Sequence, residues 1–172
     1  MNKLKTIYLA GGCFWGVSAF FEKIKGVAKV TSGYANGNID FPSYNQVCSD
    51  TTGFTEAVKV DYYTKETELS KILMAFFAII NPLQKNGQAN DIGTQYRTGI
   101  YYEDDLDLPI IMNIFKMEQK KYSSPLATEV FPLKNFYQAE EYHQHYLDKN
   151  PTGYCHLDIQ KALAKLGQDY EK

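Results

Sequence analysis

Residues 4–16 read LKTIYLAGGCFWG, from Leu4 to Gly16. The first seven, through Ala10, have the length and apolar content of a short buried strand, and the glycine pair Gly11-Gly12 ends it. After Cys13 the pattern changes period. From Trp15 to Lys25, Val17, Phe20, Phe21 and Ile24 fall at i, i+3, i+4 and i+7, an amphipathic helix stopped near Gly26. Val27 to Tyr34 reads as a second strand, and residues 35–55 as a long polar connection of the kind kept for function. In Ala57 to Tyr63, Val58, Val60 and Tyr62 alternate with Lys59 and Asp61, a half-exposed strand. Leu69, Ile72, Leu73, Phe76, Phe77 and Ile80 mark a helix that Asn81-Pro82 ends. A second polar loop, 83–95, leads to a strand around Arg97 to Tyr102.

The first hundred residues therefore run β-α-β-β-α-β, the split order of ferredoxin-like folds. We expect an α+β two-layer sandwich, helices on one side of a largely antiparallel sheet. Beyond it we expect a helix over 107–121, a strand at 128–131, a short Tyr/His-rich helix at 139–147, and a long irregular tail with helical last turns.

The chain has 172 residues, with 18 Lys and Arg against 20 Asp and Glu. One domain over 1–172 fits that length. A net charge of −2 argues against binding nucleic acid by phosphate neutralisation. Tyr, Phe and Trp make up 15% of the residues, which with the low charge excludes disorder. Ile7 to Ala10 is too short for a signal-peptide core, and no apolar run reaches membrane-span length. The expectation is a soluble, cytoplasmic monomer that binds no membrane and keeps its thiols reduced. Three cysteines are an odd number for a closed disulfide framework, so at least one thiol stays over.

Cys13 is the best placed of the three. If the helix starts near Phe14, the thiol sits at its N-terminus beside unpaired amides and the positive end of the dipole. Such a position lowers a thiol pKa and favours the reactive thiolate. Phe14 and Trp15 add apolar surface next to the sulfur.

With GGCFWG (11–16) go GYANG (33–37), SYNQVCSDTTGFTEAVKV (43–60), QANDIGTQYR (88–97), FYQAEEYHQHYLDKNP (136–151) and GYC (153–155). This series resembles the peptide methionine sulfoxide reductases of the A type, in the family's order and over almost the whole chain. The resemblance implies thiol-dependent reduction of methionine S-sulfoxide, free or in oxidised proteins and peptides. It implies no cofactor and no metal, and thioredoxin as reductant. A fusion to a B-type reductase is an alternative setting for the same domain.

Sulfoxide reduction needs a nucleophile at sulfur, a proton for the oxygen and a pocket for a methyl group. Cys13 is the nucleophile. Glu56, at the end of the polar loop, is the acid the resemblance implies, since a carboxyl among aromatics stays protonated near neutrality. Tyr44 and Tyr96 match the tyrosines that hydrogen-bond the sulfoxide oxygen, and Asp91 matches an orienting aspartate. Phe14 and Trp15 wall the methyl group, and His143 has a peripheral pocket role. A sulfenic acid on Cys13 condenses with a second thiol. Cys155 matches the family's resolving cysteine, on a loop that Asn150-Pro151 and Gly153 make mobile; Cys48 is assigned a structural role. The family usually has His at Phe54, Gly at Ala89, and His-Asp-Pro where Ile80-Asn81-Pro82 stands. Phe54 makes the pocket entrance more apolar. A Cys13 acyl-enzyme with Glu56 as base, and an aromatic module binding methionine-rich segments, are the competing readings. His143 and His145, at i and i+2, point apart and are poorly spaced for a metal.

Overall fold

The computed structural model describes residues 2–172. Its elements are β1 (Leu4–Gly11), α1 (Phe14–Phe21), β2 (Val27–Ala35), α2 (Tyr44–Cys48), β3 (Thr55–Tyr63) and α3 (Leu69–Ile79). There follow the two-residue strands β4 (Gly87–Gln88) and β5 (Asp91–Ile92), then β6 (Thr98–Tyr102) and α4 (Leu108–Gln119). The chain closes with β7 (Glu129–Pro132), β8 (Phe136–Gln138), α5 (Tyr146–Lys149) and α6 (Ile159–Leu166). Six strands form one sheet in the order β7-β6-β1-β3-β2-β8. Every neighbouring pair is antiparallel except β6 and β7. The architecture is α+β, and β1, α1, β2, β3, α3 and β6 follow the expected order.

The main core lies between the sheet and its helices. Ile7, Leu9, Val58 and Val60 pack beneath Phe14, Phe20 and Phe21 of α1 and Ile72 and Phe76 of α3. Phe76 is fully buried. Phe76→Ala is expected to destabilise the chain by about 3–5 kcal/mol, read from the urea midpoint, through lost transfer energy and the cavity left behind.

Several elements differ from expectation for identifiable reasons. β3 is buried on both faces, because it lies between β1 and β2 and the far face carries a second core. Tyr8, Ala10, Ala35, Ala57 and Tyr101 form that core, with Leu133 and Phe136 packed on it. The stretch that brings Phe136 there pairs as β8 with Gly33 to Ala35, a strand that three residues of sequence did not announce. α1 stops at Phe21 because the next residues are engaged by the end of the chain. Lys25 N–H donates to the Tyr170 carbonyl at 2.7 Å, and Ile24 bridges Glu171.

The 35–55 connection is not wholly irregular, since α2 lies inside it. Ser43 starts α2 with a capping box: its hydroxyl accepts from Gln46 N–H at 3.2 Å, and Gln46 Oε1 accepts from Ser43 N–H at 2.9 Å. The Ser-x-x-Gln spacing was the available signal. In place of one Tyr/His-rich helix, residues 141–143 form a single tight turn and α5 follows it. Among the described residues no helix is long and apolar enough to cross a membrane.

Candidate active site

Side chains alternate across a strand, so Glu56 shares a face of β3 with Val58, Val60 and Tyr62. That face looks into the main core under α1, so a carboxyl there must be buried. Glu56 therefore belongs to the strand itself rather than to the loop before it, and is 1% exposed. β1 and β3 pair Leu9 with Val58, and the same register carried two residues on brings the end of β1 across from Glu56.

Gly12, at φ +88°, turns the chain out of β1, and Cys13 becomes the residue that caps α1. Phe14 N–H, the first amide of α1, donates to Glu56 Oε1 at 3.2 Å. The next amide, that of Trp15, acts on the Cys13 thiol. The free amides of one helix end are thus divided between a thiol and a carboxyl.

Burial raises the Glu56 carboxyl to about 8; the Phe14 amide opposes this, and the charge of Asp91 adds to it. Glu56 is mostly protonated at neutral pH. For Cys13 the expected lowering does not occur. Burial pushes the thiol up, the Glu56 carboxylate pushes it further, and the Trp15 amide offsets only part of this. Cys13 rests as a thiol, because one amide does not replace the water it has lost.

Aromatic rings close round this pair. Trp15 stacks on Tyr146 at 3.7 Å, and its indole N–H donates to His143 Nδ1 at 3.0 Å. An accepting Nδ1 places the His143 proton on Nε2, and burial lowers the ring's pKa, so the ring is neutral. His143 is not peripheral. It is 2% exposed and lies 5.1 Å from the Phe14 ring, 4.8 Å from Tyr44 and 4.1 Å from Tyr142. Among the described residues its buried Nε2 has no partner.

Tyr44 opens α2, and Tyr96 ends the tight turn 94–96. Burial raises both phenols, and both feel Glu56. They remain protonated donors beside the carboxyl. Tyr96 also feels Cys13 and Asp91. The Cys48 thiol, one turn after Tyr44, acts on the Tyr44 hydroxyl.

Glu140 is a site residue that sequence reasoning passed over. Its Oε2 accepts from Tyr44 N–H at 3.0 Å and its Oε1 from the Tyr34 hydroxyl at 2.9 Å. Burial alone would raise it, but its own amide, the Tyr44 amide and the Tyr34 hydroxyl hold it below the usual carboxylate range. Two glutamates in a row in QAEEY offered no means of choosing between them.

Asp91 Oδ2 accepts from the Tyr154 hydroxyl at 3.0 Å, and its charge reaches Tyr96. Phe54 is absent from the entrance. It is 1% exposed, lies over Gly37 and meets Tyr137 edge-on, because β3 turns it inward. Cys155, expected on a mobile loop, is half-buried, and its thiol donates to the Leu157 carbonyl at 3.3 Å. All three cysteines are free thiols.

Two other features compete for notice. A cavity of about 540 Å³ lies between α3, α4 and α6, lined by Met74, Phe77, Ile114, Met117, Leu166 and Tyr170. Its lining has no cysteine and none of the residues gathered round Glu56, so chemistry places the site at Cys13. Among the described residues, Glu22, His145 and Asp148 could gather round a metal ion. They lie toward the surface, where His145 Nδ1 already contacts Glu22 Oε1 at 2.6 Å.

A buried thiol and a protonated carboxyl under a ring of aromatics suit oxygen removal from a small apolar-flanked group. The family model "Peptide methionine sulfoxide reductase" matches residues 5–172. The peptide methionine sulfoxide reductase MsrA of Clostridium acetobutylicum is 54% identical over 162 residues, 94% of this chain and 99% of that protein. Reduced Mxr1 from Saccharomyces cerevisiae superimposes with a TM-score of 0.83 at 42% identity, covering 89% of each chain. The same yeast protein in complex with Trx2 aligns with a TM-score of 0.59 at 30% identity, over 84% of this chain and 85% of that one. A family match over nearly the whole length, with relatives this similar, means that the chain belongs to the A-type peptide methionine sulfoxide reductases.

Proposed function

We propose that Cys13 and Glu56 carry out the reduction of methionine S-sulfoxide, in proteins and as the free amino acid, with Tyr44 and Tyr96 holding the oxygen. The chain is a peptide-methionine (S)-S-oxide reductase. One observation carries the assignment of residues: a carboxyl with a pKa of about 8 shares the helix end with the thiol. Glu56 donates its proton to the sulfoxide oxygen as Cys13 attacks the sulfur. The carboxylate then takes up the proton that Cys13 gives away. A pKa near the working pH suits both transfers. The oxygen passes to Cys13 as a sulfenic acid and methionine leaves. The phenols donate to the oxygen as its charge develops. Phe14 and Trp15 receive the methyl group, and neutral His143 holds the indole in place.

Cys155 then displaces the sulfenic oxygen, and thioredoxin reduces the Cys13–Cys155 disulfide by thiol exchange. We read 1–172 as one cytoplasmic, monomeric catalytic domain, alone or as the A-type half of an A/B fusion. Its core is a ferredoxin-like split β-α-β unit, supported by the order β6-β1-β3-β2 and the placing of α1 and α3.

Turnover of both sulfoxide epimers with dithiothreitol tests the reading. Wild type is expected to consume the S epimer alone, and Cys13→Ser neither. A wild-type protein that leaves the S epimer intact would overturn it.

A further inference from the structure

Residues 154–157 belong to no helix or strand, yet three consecutive positions are tied down, the first to β5 and the next two to the end of β1 and the start of α1. The Tyr154 hydroxyl donates to Asp91 Oδ2 at 3.0 Å. His156 Nε2 lies 3.0 Å from the carbonyl oxygen of Gly11, the last residue of β1. Between them the Cys155 sulfur lies against α1 at Gly16, where a Cβ would stand 2.9 Å from it and 3.4 Å from Leu157. Only a residue without a side chain leaves that place open.

A carbonyl oxygen can only accept, so His156 Nε2 donates and the ring carries its proton there. Its buried Nδ1 has no partner among the described residues, and burial lowers the ring's pKa, so His156 is the neutral Nε2–H tautomer. Room for the ring comes from Gly12, whose Cβ would stand 3.0 Å from Nε2. His156 thus anchors the segment to rigid strand backbone rather than to another flexible side chain.

We propose that His156 and Gly16 are positioning residues that hold Cys155 on α1 before any oxidation has occurred. This rests on the reading of Cys155 as the resolving thiol. Gly16 follows Cys13 by three residues, which places the two on one helix face, about 4.5 Å apart along the axis. The second step then begins with both sulfurs on the same helix turn. The Cys155 sulfur bonds to the Cys13 sulfur, the S–O bond of the sulfenic acid breaks, and the oxygen leaves as water with the proton from Cys155. Cys13 sulfur is reduced and Cys155 sulfur oxidised, with no other reactant. Docking in advance replaces an intramolecular loop search by an encounter between groups already held in place.

The test is a rapid-quench single turnover of the full chain with methionine S-sulfoxide and no reductant. Methionine release reads the first step. Dimedone trapping and peptide mapping read the sulfenic acid and the disulfide. In His156→Ala and Gly16→Ala, methionine release is expected within about two-fold of wild type. Disulfide formation is expected to slow on the order of 10-fold or more, with trapped sulfenic acid accumulating on Cys13. His156→Gln, whose amide N–H₂ reaches about as far as Nε2–H, is expected to restore the disulfide rate. An unchanged disulfide rate in His156→Ala would overturn the proposal, and so would equal slowing of both steps or no rescue by glutamine. A wild-type map showing a Cys13–Cys48 bridge would instead overturn the resolving role of Cys155. Absence of methionine from wild type would overturn the catalytic reading itself.

Discussion

Glu56→Gln is expected to lower single-turnover methionine formation by about 10²- to 10⁴-fold and, at alkaline pH, to make the chain more stable than wild type. The two effects have one origin. Glutamine keeps an oxygen for the Phe14 amide but has no proton to give to the sulfoxide. In the folded chain Glu56 releases its proton near pH 8, against an ordinary value of 4.5. Between those values the folded chain holds a proton that the unfolded chain has lost. Wild-type stability therefore falls as pH rises through that window, and the loss is complete above it. Glutamine shows no such slope. A shift of that size corresponds to at most about 5 kcal/mol. Urea midpoints at pH 5 and pH 9 check the sign: the advantage of Glu56→Gln must grow with pH. A gap that shrinks would mean that the carboxyl is ionised in the folded chain at neutrality, and the acid role would be lost with it.

Cys155→Ser is expected to release one equivalent of methionine per chain and then stop when thioredoxin is the reductant. Its first step uses only Cys13 and the pocket. The second thiol is needed to convert the sulfenic acid into the disulfide that thiol exchange can open. Cys48→Ser is expected to sustain multiple turnover, because its sulfur is placed to touch Tyr44 rather than Cys155. Methionine counted per chain over time separates these cases. Continued turnover of Cys155→Ser at the wild-type rate would remove Cys155 from the cycle.

What the sequence disclosed follows the range of the interactions involved. The helix after Cys13 and the stripe from Leu69 to Ile80 were legible because side chains three and four apart define a face without help from elsewhere. The parity of Glu56 with Val58, Val60 and Tyr62 was also present in the sequence, and it implied a buried strand carboxyl. Lys59 and Asp61, on the other parity, argue locally for a solvated face. In the fold that face is covered by Tyr8, Tyr101 and Phe136, which only long-range pairing brings there. Phe54 was misplaced for the same reason, since its inward turn depends on how β3 enters the sheet. The thiol of Cys13 was read from its helix position alone. Its depth, which decides the direction of the shift, is a property of the whole packing. His143 and His156 were ambiguous because a histidine's role is set by what the other ring nitrogen meets. The clasp by His156 pairs residues 145 positions apart, beyond the reach of any local pattern.

The two hydrogen bonds of Glu140 bear on how the site meets its substrate. α2 has five residues, too few for a helix to persist alone in water. Its first amide is fixed by a carboxylate whose other oxygen is held by Tyr34 on β2. The far wall of the pocket is therefore immobilised when the protein folds, not when a ligand arrives. An oxidised methionine on an unfolded or mobile segment must surrender its own freedom to bind, and a wall ordered beforehand adds nothing further to that cost.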